Sequence, residues 1–107
     1  NISGKAFEAV FDCAGAFRQA GVAWSGMSHP PPDLLGMQER LASSLRDAGF
    51  DLEDRPYAPH ITLARRIARG LPRSPHPPIA WPARSVTLVR SDTGKGTYSV
   101  MESWELR

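Results

Sequence analysis

One segment of the sequence has the three- and four-residue periodicity of an amphipathic helix, and it constrains the fold more than any other feature. Pro30-Pro31-Pro32-Asp33 forms its entrance, because proline is tolerated in a first turn and an acid there complements the helix dipole. Gly49 supplies a left-handed stop. The apolar side chains between them fall on one stripe, made of Leu34, Met37, Leu41, Leu45 and Ala48. We therefore predict one main helix that ends before Gly49.

The apolar segments on either side of this helix alternate with period two, which is typical of strands with one buried face. Lys5 to Cys13 is predicted as the first strand and Val22 to Met27 as the second. Gly15 and Gly21 bracket the connection between them, which predicts a hairpin. His60 to Arg66 is predicted as a third strand, whose Ile61 and Leu63 point into the core.

The C-terminal third predicts a proline-rich loop followed by a second hairpin. Residues 69–84 contain five prolines, which fix backbone angles and remove donors, and therefore predict a long surface loop. Ser85 to Ser91 and Thr97 to Leu106 flank a glycine-containing turn, Asp92-Thr93-Gly94-Lys95-Gly96. The parity of the last strand predicts a buried face made of Tyr98, Val100, Trp104 and Leu106. The predicted class is α+β, an antiparallel sheet backed by one main helix.

Composition limits the classes of protein to which this chain can belong. A chain of 107 residues with 41% hydrophobic side chains fits one domain with one core. We expect a cytoplasmic protein with no membrane span, because no run approaches about 20 apolar residues and no leader opens the sequence. The lone Cys13 predicts a buried thiol. The formal charge of +2 is compatible with an anionic ligand without requiring one.

His60 and Thr62 are the residues best suited to chemistry. Alternate side chains of a strand emerge on one face, so an imidazole and a hydroxyl would project together. The imidazole can transfer a proton near neutral pH, and the hydroxyl can donate to a phosphate oxygen. A His-x-Thr pattern alone is a weak signal, and two merely solvated side chains are the alternative interpretation.

The surrounding residues strengthen this signal. The stretch Asp54-Arg55-Pro56-Tyr57-Ala58-Pro59-His60-Ile61-Thr62-Leu63-Ala64-Arg65 closely resembles the second catalytic motif of the 2H phosphoesterases. It is most similar to that of the RNA 2′,3′-cyclic phosphodiesterases, once described as 2′-5′ RNA ligases. The Trp24 strand, the proline-led helix, Trp81-Pro82 and the segment Val86 to Ser91 resemble the same family in the same order.

This resemblance implies a bilobal fold in which each lobe contributes one His-x-Thr motif to a central cleft. Neither His29 nor His76 is followed two positions later by Thr or Ser, so the first motif is absent from these residues. The chain also begins at Asn1 rather than methionine. We therefore expect residues 1–107 to form a single domain, the C-terminal portion of a longer 2H phosphoesterase. A missing N-terminal segment or self-association would complete it.

The implied reaction is the in-line attack of water on a 2′,3′-cyclic phosphate at an RNA end, which gives a 2′-phosphomonoester. One histidine accepts the proton of water and the other protonates the leaving ribose oxygen. His60 would be one of the two, and we predict the base, although one motif leaves the direction open. Thr62 would bind a phosphate oxygen. Arg65 matches the arginine that closes the family motif, and it would bind substrate only if a bulge or the strand end turned it to the His60 side.

The remaining candidates are given structural roles. Arg66 has the favourable parity but a weaker match to the family, and Tyr57 is interpreted as packing on its loop rather than stacking on a base. His76 is predicted to lie exposed in a loop, and His29 to be merely polar. Trp24, Trp81 and Trp104 are predicted to pack in the core or against loops.

We expect no cofactor and no metal, because no Cys/His grouping has the spacing of a metal site. The leading hypothesis is a metal-independent cyclic phosphodiesterase that supplies the second half-site, with little turnover by this chain alone. One alternative is a noncatalytic RNA- or phosphate-binding lobe. Another is a structural lobe that needs a further segment or a second copy to cover an apolar face.

Overall fold

A computed structural model describes residues 3–54, 56–92 and 94–107. Arg55 of the motif and Thr93 of the predicted turn lie outside the described residues, as do Asn1 and Ile2. The described elements in chain order are β1 (Phe7–Phe17), β2 (Val22–Gly26), α1 (Pro32–Asp47), β3 (His60–Arg65), β4 (Ser74–Ala83), β5 (Ser85–Asp92) and β6 (Thr97–Glu105).

The strands form two antiparallel sheets, which confirms the predicted α+β class. A four-stranded sheet has the order β3-β2-β1-β4, and β5 pairs only with β6. β1 and β2 form the predicted hairpin, in which Cys13 lies opposite Gly26 and Phe17 lies opposite Val22. Gly21 has a φ of +64°, which the tight turn before β2 requires. β3 therefore occupies one edge of the larger sheet, beside β2.

The first strand is longer than the alternation predicted. It runs to Phe17 instead of ending at Cys13, so Gly15 lies inside β1 and not in the connection. The reason is packing, since the Trp24 ring occupies the place where a side chain at Gly15 would stand. A glycine in a strand often marks such a close approach.

The helix agrees closely with its prediction. It runs from Pro32 to Asp47, and Gly49 ends it with a φ of +96° while its amide donates to the Arg46 carbonyl. Leu34 and Met37 pack against a small core, whose other members are Ala9, Phe11, Met27 and Leu106. No helix in the described ranges is long and apolar enough to cross a membrane.

The proline-rich segment is a strand, and the prediction of a long loop was wrong. β4 pairs with β1 from Phe7↔Ala83 to Ala14↔Ser74, with an irregularity opposite Asp12. Proline cannot donate to a sheet ladder, but β4 lies at the edge of the sheet, where only one side of the strand needs bonds. The prolines therefore mark an edge strand here.

The predicted buried face of the last strand was also wrong for its first half. Leu106 is buried and Trp104 is half-buried, but Tyr98 is 63% and Val100 70% exposed. Leu88 lies opposite Glu102 while Val89 lies opposite Val100, so Met101 is an extra residue in β6. This bulge moves Tyr98 and Val100 to the face opposite Trp104.

Candidate active site

His60 and Thr62 project from the same face of the four-stranded sheet. Residues that lie opposite one another in a ladder share a face, and His60 lies opposite Gly26, which lies opposite Cys13. In the next row Thr62 lies opposite Trp24, which lies opposite Gly15. Both His60 and Thr62 are exposed. We call this side of the sheet the histidine face.

A β-bulge in β3 brings Arg65 to the histidine face. Trp24 lies opposite Thr62 but Ala23 lies opposite Ala64, so Leu63 is an extra residue without a partner. After the bulge the parity is reversed, and Arg65 lies opposite Val22, on the same side as Trp24. Its Nη2 donates to the Tyr98 hydroxyl at 3.5 Å.

The same bulge corrects two predictions based on regular alternation. Leu63 does not enter the core, since its side chain is 61% exposed, whereas Ile61 packs against the core as predicted. Arg66 does not have the favourable orientation, because β3 ends at Arg65 and Arg66 has a φ of +58°. A left-handed conformation at a non-glycine residue turns the chain away from the strand.

The imidazole of His60 is held by two contacts, and among the described residues its Nε2 has no hydrogen-bond partner. Nδ1 lies 2.7 Å from the Ala58 carbonyl oxygen, which can only accept, so Nδ1 carries a hydrogen and donates it. The Phe17 ring packs edge-to-face on the imidazole, with centroids 4.9 Å apart. The neutral ring therefore presents an unprotonated Nε2, as a proton acceptor requires.

Trp24 forms the floor of the histidine face. Its indole lies across two glycines, because a Cβ on Gly15 would be 2.6 Å from Cζ2 and a Cβ on Gly26 would be 3.0 Å from Cζ3. The ring also packs against Phe17, with centroids 5.6 Å apart. The prediction of a packing role for Trp24 is incomplete, since this residue lies on the face that presents His60.

Gly15→Ala is expected to destabilise the protein by about 1–3 kcal/mol, because the added methyl must displace the Trp24 ring. Gly36→Ala is the matched control. Its Cβ would meet only the flexible end of Arg40 at 3.4 Å, and alanine suits a helix interior better than glycine, so stability should rise slightly. Unfolding in guanidinium chloride measures the stability of both variants. A Gly15→Ala protein as stable as the parent would show that Trp24 does not lie on Gly15.

His60 stands where three surface concavities meet. One of about 850 Å³ is lined by Phe17, Arg18, Gln38 and Tyr57, and a second of about 480 Å³ includes Ile61 and Trp81. The third, about 340 Å³, lies over the sheet and is lined by Cys13, Trp24, Gly26, His60 and Arg73 among others. We call this third space the Trp24 concavity.

Tyr57 borders all three concavities and is 44% exposed. Partial burial raises the pKa of its phenol, because the charged form loses hydration. The hydroxyl therefore stays protonated at neutral pH and can act as a hydrogen-bond donor.

The other two histidines lie outside this site. The prediction of His76 as an exposed loop residue was wrong, because it lies half-buried in β4 and its Nε2 is 2.8 Å from the hydroxyl of buried Ser25. Its Nδ1 lies 2.8 Å from the Pro77 carbonyl and must donate to it, so in the neutral ring Ser25 donates to Nε2. The pair ties the edge strand to β2.

His29 is exposed, as predicted, and belongs to a short polar chain beside the helix entrance. The Ser28 hydroxyl and amide both donate to Asp12, and the His29 Nδ1 lies 2.9 Å from the Ser28 Oγ. The Ser28 side-chain hydrogen bond is the main cause that lowers the pKa of Asp12. Asp12 thus stays ionised, and this chain anchors the end of β2 to β1.

Phe17 and Arg73 belong to the site but were not singled out from the sequence. Phe17 continues the odd-numbered alternation of β1, and this signal becomes visible once Gly15 is placed inside the strand. Arg73 lies in the segment that was predicted as a loop, and no sequence signal connects it to Cys13. Across the described ranges, no cluster of three or more His, Cys, Asp or Glu side chains could hold a metal ion.

Comparison with known proteins gives consistent matches over most of the chain. The family model described as the 2′-5′ RNA ligase superfamily matches residues 2–95. The RNA 2′,3′-cyclic phosphodiesterase of Escherichia coli (strain K12) is 31% identical over an alignment of 104 residues that covers 94% of this chain. That of Thermus thermophilus is 40% identical over an alignment of 79 residues that covers 67% of this chain.

The fold is similar to that of solved members of this group. The crystal structure of E. coli LigT complexed with 3′-AMP superimposes with a TM-score of 0.85 and 29% identity over 98% of this chain. The match covers 62% of that chain, 58% of the E. coli relative and 37% of the Thermus relative. The chain therefore spans less than two thirds of the proteins that it matches.

Proposed function

The chain belongs to the 2′-5′ RNA ligase superfamily of 2H phosphoesterases, and from this premise we propose that it supplies half of the active site of an RNA 2′,3′-cyclic phosphodiesterase. The observation that carries the proposal is the convergence of His60, Thr62 and Arg65 on one exposed face, with Nε2 of His60 unprotonated in the neutral ring. An imidazole, a hydroxyl and a guanidinium together suit an anionic phosphodiester.

The proposed chemistry uses His60 for proton transfer through Nε2. A water oxygen forms a new bond to phosphorus while the bond to the ribose 3′ oxygen breaks, which leaves a 2′-phosphomonoester and a 3′-hydroxyl. His60 accepts the proton of water or, as the imidazolium, donates one to the departing oxygen. We assign it as the base. A second histidine from outside these 107 residues takes the other role.

Thr62 and Arg65 stabilise the phosphoryl group as its charge is redistributed. The Thr62 hydroxyl donates to a non-bridging oxygen, and the guanidinium of Arg65, steadied by Tyr98, contacts the same group or its flank. This electrostatic work and the two proton transfers need no metal ion. The proposed partners are RNA ends and nucleotides that carry a 2′,3′-cyclic phosphate, consistent with the complex that the related E. coli protein forms with 3′-AMP.

Thr62→Val is expected to weaken binding of 2′-AMP, the product of cyclic-nucleotide hydrolysis, about three- to tenfold, because one donor to the phosphate is lost. Thr62→Ser keeps the hydroxyl and should bind nearly as the parent does. The matched control is Thr97→Val, at an exposed threonine that begins β6 in the other sheet. Calorimetric titration measures all three. Equal affinities of the parent and Thr62→Val would contradict the phosphate-binding role.

A noncatalytic RNA-binding lobe remains the second candidate, favoured by the arginines that the sheet presents without carboxylate partners. Among the described residues, the side chain of Arg65 donates a hydrogen bond to a phenol and that of Arg73 to a thiol, and neither forms an ion pair. If the chain is such a lobe, its RNA binding should depend on salt and should survive the double replacement His60→Ala and Thr62→Val. The proposed enzyme site instead requires that this double variant lose affinity for the phosphorylated end.

A further inference from the structure

Arg73 lies at the far end of the row of residues that begins with His60. The row crosses three strands, from His60 to Gly26 to Cys13. The guanidinium of Arg73 donates from Nη2 to the Cys13 sulfur at 3.8 Å, which places this cation over the third strand. His60 and Arg73 both line the Trp24 concavity, from its two sides.

A glycine and an aromatic ring lie between the imidazole and the guanidinium. Gly26 contributes no side chain to the middle of the row, and the Trp24 ring lies across Gly26 and Gly15. A ligand held at His60 can therefore extend toward Arg73 over an aromatic floor. Aromatic rings of this kind support the bases or sugars of single-stranded RNA.

The separation of Arg73 from His60 favours two bound anions over one shared anion. Adjacent strands lie about 4.8 Å apart, so two strand spacings put Cys13 roughly 10 Å from the His60 backbone. A charge-assisted hydrogen bond to phosphate needs about 2.7–2.9 Å. While it lies at the Cys13 sulfur, two strands from His60, the guanidinium is better placed for a second phosphate than for the one held by His60 and Thr62. A second phosphate in the same ligand would meet it.

Arg73 is suited to such a contact. It is exposed, no carboxylate of the described residues pairs with it, and the thiol satisfies at most one of its donors. Arginine presents a planar set of donors that matches phosphate oxygens in pairs. The contact with Cys13 orients the guanidinium before any ligand arrives.

Resting on the proposed function, we propose that Arg73 binds the phosphodiester that joins the terminal nucleotide to the one before it. The site then selects RNA ends over free cyclic mononucleotides, because only an RNA end carries this second phosphate. The Trp24 ring forms the floor beneath the terminal nucleotide. Arg73 is a substrate-binding residue in this scheme and takes no part in proton transfer.

Two probes separate this contact from the phosphate site at His60. The dinucleotide ApAp carries a terminal 3′-phosphate and an internal phosphodiester, whereas 3′-AMP carries only the terminal phosphate. We expect the parent chain to bind ApAp about tenfold more tightly than 3′-AMP, the increment of one charge-assisted contact. Arg73→Gln should remove this advantage and change the affinity for 3′-AMP less than about twofold.

Salt dependence provides an independent readout. Between about 50 and 200 mM KCl, the logarithm of ApAp affinity should fall less steeply for Arg73→Gln, by about 0.7 in slope, because one phosphate is no longer neutralised. Arg73→Lys keeps the charge and should retain part of the preference. Arg90→Gln is the control, since Arg90 is an exposed arginine of β5 that lines none of the three concavities.

Each outcome has a defined meaning. The proposal would be overturned if Arg73→Gln weakened the binding of ApAp and 3′-AMP equally, or weakened neither. It would also be overturned if Arg90→Gln caused the same loss of ApAp affinity, or if the parent chain did not prefer ApAp. Thr62→Val should weaken both probes alike. If Thr62→Val changes neither probe while Arg73→Gln still abolishes the preference, the proposed function fails and the Arg73 contact stands.

Discussion

The 107-residue chain alone is expected to hydrolyse adenosine 2′,3′-cyclic phosphate about 10²- to 10⁴-fold more slowly than the E. coli RNA 2′,3′-cyclic phosphodiesterase assayed beside it. The reaction needs one group to accept the proton of water and another to protonate the departing oxygen. In the proposed site His60 supplies one of these roles. His29 and His76 cannot supply the other, because His29 is bonded to Ser28 outside the site and His76 is bonded to Ser25 and Pro77.

Chromatographic separation of 2′-AMP from the cyclic nucleotide measures this rate. The chain carrying His60→Ala sets the background, so any contaminating activity is recognised by its persistence in that variant. A rate for the parent chain close to that of the E. coli enzyme, and lost on His60→Ala, would show that these residues contain a complete site. That result would remove the need for a second half-site.

The second large effect is expected when the site is completed. If the proposed second half-site precedes these residues, an N-terminal segment of the E. coli phosphodiesterase, joined ahead of residue 3 of this chain, should supply the other motif and restore hydrolysis. In this chimera His60→Ala should lower kcat by about 10²- to 10⁴-fold, because one proton transfer loses its catalyst. His60→Gln should lower it similarly while it preserves more of the packing against Phe17.

His29→Ala is the matched control, because His29 is also an exposed histidine but lines none of the three concavities. Its kcat should stay within about twofold of the chimera. An active chimera that tolerates His60→Ala would exclude His60 from proton transfer. Circular dichroism of each variant separates loss of catalysis from loss of fold.

Local patterns predicted those parts of the fold that depend on local forces. The helix and its stop at Gly49 follow from a periodic stripe and one left-handed residue, and both hairpins follow from alternation interrupted by turns. Alternation failed wherever a bulge intervened, at Leu63 in β3 and at Met101 in β6. A bulge depends on the partner strand, and the residues of one strand do not specify it.

The prediction of a loop for the proline-rich segment failed for a related reason. Whether Pro75 or Pro82 can lie in a strand depends on whether that strand is at an edge, which is a property of the whole sheet. In the site, His60 and Thr62 could be placed by parity alone. Phe17 and Arg73 come near them through the pairing of β1 with its two neighbours, and Trp24 through the pairing of β2 with β3, so their contribution could not be deduced from spacing.

The extra residue in β3 also explains the spacing of His60 and Arg65 in the motif. His60 and Arg65 are five positions apart, an odd interval that in an unbroken strand would send the two side chains in opposite directions. In β3 the two side chains share a face because the ladder skips one residue between them. Deleting Leu63 would shorten this interval to four, so even a regular strand would keep the guanidinium on the side of the imidazole and the hydroxyl. An odd interval between two side chains that must converge therefore indicates that the regular alternation of the strand is broken between them.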